Sequence, residues 1–143
     1  MGNINFNDGL KTYSINDDPN RLIKINPADF GILQRLDAAY KRLSEEYKEL
    51  NNKEELTYED MFSFSDKLKF ELNYIFASDV ADVVLAGASP MSTVNGEPLF
   101  QVFLNAILPI IEDAVREESA ASEKRIQRYT EDLNDDRGTA ENS

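Results

Sequence analysis

Cysteine and histidine are both missing from this chain. Without cysteine there is no disulfide, no thiolate nucleophile and no sulfur-ligated metal. Without histidine the chain lacks the commonest general base near neutral pH and the commonest transition-metal ligand. Basic residues are in short supply. Lys and Arg number 15 against 27 Asp and Glu, for a formal charge of -12. Such a surface repels nucleic-acid phosphates and anionic lipid, and favours a basic or apolar partner. No apolar run approaches the roughly 18 residues of a membrane span. Residues 1–5 show no positive region leading into an apolar stretch, so no secretory signal is read there. Phe6 stands where a myristoylation site wants Ser or Thr. The expectation is a cytoplasmic protein with no membrane contact and no nucleic-acid partner.

What is present suffices for one folded domain. The chain has 143 residues, 41% of them hydrophobic, which is enough to bury a core. Polar and apolar residues alternate over 3–6 and again over Lys11–Ile15, with Asn7-Asp8-Gly9 as a turn between them. A second turn cluster covers 16–20, and 22–25 reads as a third strand with Ile23 and Ile25 on one side. The pattern predicts a small antiparallel meander or hairpin that needs helices to cover its apolar face.

Asn26-Pro27 reads as a helix start, with Gly31 dividing a first turn from the main helix. Leu33, Leu36, Tyr40, Leu43, Tyr47 and Leu50 recur at spacings of three and four. The same seam serves packing within the chain or pairing of two copies, so a homo-oligomer stays open. Thr57 followed by Asp60 resembles a capping box that opens a second helix. Its stripe of Met61, Phe64, Leu68, Leu72 and Ile75 is widened by Phe62, Phe70, Tyr74 and Phe76, which implies more than one neighbour. Ser78 reads as the cap of a short helix over 79–86, stopped by Gly87. Asn95-Gly96 is a turn, and Pro98 opens a last helix with Leu99, Phe103, Ala106, Ile107, Ile110 and Ala114 inward. Pro109 inside it predicts a kink. Past Arg116 only Ile126, Tyr129 and Leu133 are large and apolar, and 134–143 reads as a flexible polar tail. The fold class expected is mainly α (α+β), with a β-meander over 1–25 and about four helices over 26–116. These form a single globular domain over 1–116, and 117–143 is a charged helical extension with a disordered end.

No recognisable catalytic group emerges. Asp17 and Asp18 lack the Gly and Glu of a calcium loop and read as turn residues. Asp79 and Asp82 sit at a helix start, where compensation of the helix dipole accounts for them. Ser89 and Ser92 have no neighbouring base. Lys67 and Lys69 lie in a helix rich in core residues. The chain reads as no enzyme, with no cofactor and no metal. Met91, Val94, Leu99 and Phe100, on or beside the loop 87–98, cap the core or else form a docking patch or a self-association surface.

One longer pattern stands out. It runs from Phe76-Ala77-Ser78-Asp79-Val80-Ala81-Asp82-Val83-Val84-Leu85-Ala86-Gly87 through Ser89-Pro90, Asn95-Gly96, Phe100 and Phe103-Leu104 to Pro109-Ile110-Ile111-Glu112. With Ile25-Asn26-Pro27 and Phe30-Gly31 upstream, it covers most of residues 1–115. In this pattern the chain resembles the tail assembly chaperones of long-tailed phages and prophages, small proteins encoded just before the tape-measure protein. The resemblance implies a helical protein that binds the tape-measure polypeptide in the host cytoplasm during virion morphogenesis, without catalysis. Such families often make a longer form by ribosomal frameshifting. On that reading Met91, Val94, Phe100 and Phe103 are the candidate partner contacts. The alternative is a structural virion component, a minor tail or connector protein.

Overall fold

The computed structural model describes residues 1–141. The chain is mainly helical, with a small two-stranded hairpin ahead of four helices. Strands β1 (Lys11–Ile15) and β2 (Asp18–Ile25) pair antiparallel. Asn16 and Asp17, at φ 52 and 59, make the two-residue turn between them, the conformation that matches the twist of the flanking strands. The strand expected over 3–6 is not there: residues 1–10 have no regular structure. Asn7, Asp8 and Gly9 do turn the chain, but their hydrogen bonds do not lead a strand back along β1. The five-residue turn expected over 16–20 is likewise shortened. Its remainder survives as an irregularity in β2, where Asp18 Oδ1 accepts from the Asn20 N–H at 2.9 Å and the register shifts beside Ile15.

Helix α1 (Phe30–Asn51) begins one turn later than Asn26-Pro27 suggests, because Asp29 is the cap and accepts from the Gly31 N–H at 2.8 Å. Gly31 lies within the helix and makes room there: a Cβ would fall 2.7 Å from Arg35 Nη1. The buried line is Ile32, Ala39 and Leu43, with Leu33 and Leu36 half-buried. The predicted seam is thus rotated by about one residue. Tyr40 and Tyr47 stay exposed, which suits hydroxyl-bearing rings: Tyr40 Oη donates to Gln101 Oε1 at 3.3 Å.

Helix α2 (Tyr58–Phe76) opens as the sequence predicts, with Thr57 and Asp60 closing a reciprocal capping box. Its core face is Leu68, Leu72, Ile75 and Phe76. It stops at Ala77, left-handed at φ 51, where the N–H groups of Ala77 and Ser78 return to the carbonyls of Tyr74 and Asn73. Ser78 is thereby used in ending α2 and does not cap α3 (Ala81–Leu85), which is shorter than the predicted 79–86. Asn73 caps it instead, its Oδ1 accepting from Val80 and Ala81 at 2.8 and 2.9 Å. A short hairpin, β3 (Thr93–Val94) and β4 (Glu97–Pro98), turns on Asn95-Gly96.

Helix α4 (Leu99–Glu141) follows directly. The carbonyls of Pro90 and Ser92 accept from the N–H groups of Phe100 and Leu99, so the preceding loop closes the helix's open donors. Pro109 leaves the helix continuous. Asn105 and Pro109 are both exposed, so the carbonyl that loses its partner sits on the wet side. The buried face is Phe100, Leu104, Ile107 and Ile111, again one position from the predicted set, of which only Ile107 is buried. Phe103, Ala106 and Ile110 are left on the flank that looks toward the hairpin. Every residue described from Arg116 to Arg128 is exposed. The helix continues to Glu141, where the reading above ends regular structure near residue 134. Residues 142–143, with the side chains of 129 and 132–141, lie outside the described residues.

Candidate functional site

One core ties these elements together. It gathers Ile23 and Ile25 of the hairpin, Ile32 and Leu43 of α1, and the inner faces of α2, α3 and α4. Two arginines hold the helix ends that lack a basic residue of their own. Arg35 donates to the Ile75 carbonyl at 2.9 Å and to Asp29 at 2.9 Å. Arg21, in the irregular part of β2, donates to the Val83 and Val84 carbonyls at 3.1 and 2.7 Å. A cation at a helix C-terminus satisfies open carbonyls and offsets the negative dipole end. The body that carries the candidate surfaces is therefore rigidly cross-tied.

Among the described residues, the two perturbed titrating groups belong to this bracing. Glu71, buried, accepts two bonds from Arg42 at 2.8 and 2.7 Å, and the guanidinium lies 4.4 Å over the Tyr74 ring. The Glu71 bond raises the Arg42 pKa above its ordinary value. Asp60 is lowered to about 2 by its bond from Lys53 and by the Thr57 N–H. Both pairs join the α1 side of the molecule to α2.

The outer face of α2 is the larger candidate surface. Tyr58, Met61 and Phe62 are exposed together at the start of α2, while Phe70 is exposed farther along on another side, and the Tyr58 and Phe62 rings stack with centroids 6.3 Å apart. Beside it an open cleft of about 340 Å³ is lined by Met61, Phe62, Ser65, Asp66, Ser89 and Met91. Its hydroxyls are already engaged: Ser65 and Ser89 share a bond of 3.1 Å, and Ser89 Oγ accepts from the Met91 N–H. What it offers a partner is thioether and ring surface beside one carboxylate.

The four predicted contacts do not converge. Met91 lines this cleft, half-buried. Val94 is exposed on the β3–β4 hairpin. Phe100 is buried in the core and so lies below any docking surface. Phe103 meets Phe76 edge-on at 5.7 Å and lines a different cleft, of about 200 Å³, between α4 and the first hairpin. Of the alternatives left open for the loop, core capping describes Phe100, and an outward position describes Val94. Met61 and Phe62 are not among the four, although they belong to the wide α2 stripe that the sequence pattern picks out.

The other candidates stand apart. Asp79 and Asp82 are exposed. Asp17 holds the hairpin turn and Asp18 its Asx bond. Lys67 pairs with Glu46 at 2.6 Å. Among the described residues no cluster of three acidic side chains is arranged to hold a metal ion, and no helix is long and apolar enough to cross a membrane. No family model, characterised protein or solved structure matches the chain.

Proposed function

We propose that this protein is a tail assembly chaperone, which binds the tape-measure polypeptide in the host cytoplasm and makes or breaks no bond. The observation that carries this reading is the apolar ridge of Tyr58, Met61 and Phe62 beside Met91, on a body of formal charge -12. An apolar helix of the client would lie along that ridge, as amphipathic helices lie in grooves. Methionine suits such a role because its flexible thioether adapts to varied surfaces. The acidic body favours Lys and Arg on the client and keeps a crowded complex soluble.

Magnitudes make the contact a reversible one. Burying three large apolar side chains is worth roughly 5–9 kcal/mol. Association costs on the order of 4–15 kcal/mol. One copy therefore holds weakly, and many copies on one long client hold through avidity. That suits a protein displaced as tail-tube subunits polymerise.

Co-expression with the tape-measure product encoded beside it provides the test. The client stays soluble with the wild-type chain and precipitates with a Phe62→Asp variant of unchanged helicity. Equal precipitation with and without the chain ends the proposal. Recovery of the chain among the parts of finished particles by mass spectrometry replaces it with the structural-component reading.

A further inference from the structure

We propose that the segment 1–7 is an exchange arm that docks as an added strand in the cleft between β1 and α4 of a second copy of this chain. The inference is independent of the chaperone reading and concerns a different surface.

The arm has the residues of a strand and none of its contacts. Asn3-Ile4-Asn5-Phe6-Asn7 alternates polar and apolar, so an extended backbone would set Ile4 and Phe6 on one face about 7 Å apart. Both are strand-forming residues. Yet Ile4 is 85% and Phe6 76% exposed. The link behind them is tied down. Asn7 Oδ1 accepts from Gly9 N–H at 3.0 Å, Asp8 Oδ1 from Leu10 N–H at 3.1 Å, and Asn26 Nδ2 donates to the Asp8 carbonyl at 3.3 Å. Gly9, at φ 77, lies so close to Asn26 that a Cβ would meet Nδ2 at 2.8 Å. A link folded in this way sends the arm off the body instead of back along its own β1.

The same chain carries a matching socket. The sheet has two strands, and among the described residues nothing pairs with the outer edge of β1. Tyr13, Ser14, Ile15 and Asn16 line the cleft consecutively, whereas β2 contributes only the alternate residues Ile23 and Ile25. A consecutive run means that the cleft opens along the edge of β1 and not merely over one face. Its far wall is the flank of α4, with Phe103 half-buried and Ile110 45% exposed. At about 200 Å³ it exceeds a cavity of roughly 150 Å³ that admits a benzene ring, so a phenylalanine side chain fits. Edge strands of this kind accept an added strand through main-chain bonds, with pockets that select alternate side chains.

Charge selects a second copy as the occupant. Two molecules of charge -12 repel over most of their surfaces. Residues 1–7 carry no charged side chain, and neither does any residue lining the cleft. These are the surfaces through which like-charged copies can meet without burying a carboxylate. Arm and socket are different patches, so two copies either swap arms reciprocally in a closed dimer or pass them head to tail in a ring or open chain.

The absence of cysteine gives a clean test. Phe6→Cys and Ile110→Cys variants of the full chain, mixed under mild oxidation, should yield a disulfide-linked heterodimer. Neither variant alone should cross-link to that extent. In sedimentation, wild type should exceed the 16.2 kDa of one chain, whereas Ile4→Asp/Phe6→Asp and Ile110→Asp should each sediment as monomers with unchanged helicity. A mixture of those two should form a dimer and go no further, since it offers one intact arm and one intact socket. Monomeric wild type, arm variants that assemble normally, or a Phe6→Cys/Ile110→Cys double variant that closes only within one chain would each overturn the proposal.

Discussion

Asn73, in the last turn of α2, caps α3 across seven residues: its Oδ1 accepts from the Val80 N–H at 2.8 Å and from Ala81 at 2.9 Å. The Val80 N–H also reaches the Ser78 carbonyl at 2.9 Å, whereas the N–H of buried Ala81 is held by Asn73, so removing the oxygen strands chiefly the Ala81 donor. Asn73→Ala should lower stability by about 1–3 kcal/mol, read from the urea midpoint. Asn73→Asp, which keeps an acceptor in place, should retain most of it. Equal loss in both variants would show that the amide nitrogen, not the oxygen, matters.

Ala77 and Ala86 end α2 and α3 at φ 51 and 50. An L-residue in that region is strained by about 1–2 kcal/mol, which glycine avoids. Glycine also has more freedom to lose on folding. The net expectation is that Ala77→Gly and Ala86→Gly each raise stability, by roughly 0.5–1 kcal/mol. Thermal melts of the two single variants and the double variant test it. A fall in both melting temperatures would reject the assigned cap conformations.

Asp60 has its pKa lowered to about 2 from 3.8, first by Lys53 and then by the Thr57 N–H. A carboxylate with a depressed folded-state pKa contributes its stability above the unfolded value and loses it as pH falls through the folded value. Asp60→Asn should therefore be less stable than wild type at pH 5. The gap should close as pH falls from about 4 toward 2. Denaturant midpoints across that range measure it, and a gap that stays constant would contradict the cause.

Glu71 is buried, and its two oxygens rely on Arg42. The Lys67–Glu46 pair is half-open to solvent. Removing one partner of a buried pair strands a charge, whereas a surface pair contributes little. Arg42→Met should thus cost clearly more stability than Lys67→Met. Adding Glu71→Gln should recover part of the Arg42→Met loss. Urea denaturation of wild type, the two single variants and the double variant measures these costs, and equal costs for the two single variants would refute the ranking.

Much of the fold is legible from local pattern. Thr57 and Asp60 announce the start of α2 because both halves of the box lie within one turn. Asn95-Gly96 announces its hairpin because positive φ is cheap there. Both helix seams are detected by period yet misplaced by one residue. Apolar arcs on α1 and α4 are wider than the buried strip, so periodicity alone does not choose which edge goes inside. Tyr40 and Phe100 exchange their expected environments for that reason.

The candidate contacts are less legible. Met91, Val94, Phe100 and Phe103 are near neighbours along the chain, and the start of α4 scatters them among a cleft, a hairpin tip, the core and a second cleft. Arg21 and Arg35 give no signal in advance, because each serves a helix end about 40 or more residues away.

Composition and local spacing alone settled that this chain is an acidic, mainly helical body without thiol or imidazole chemistry, since those properties need only the residues present and their near neighbours. Which apolar side chains remain outside was decided by the packing of four helices and a hairpin. Burial depends on which faces meet, and chain-distant partners such as Arg35 with Ile75 determine how those faces are turned.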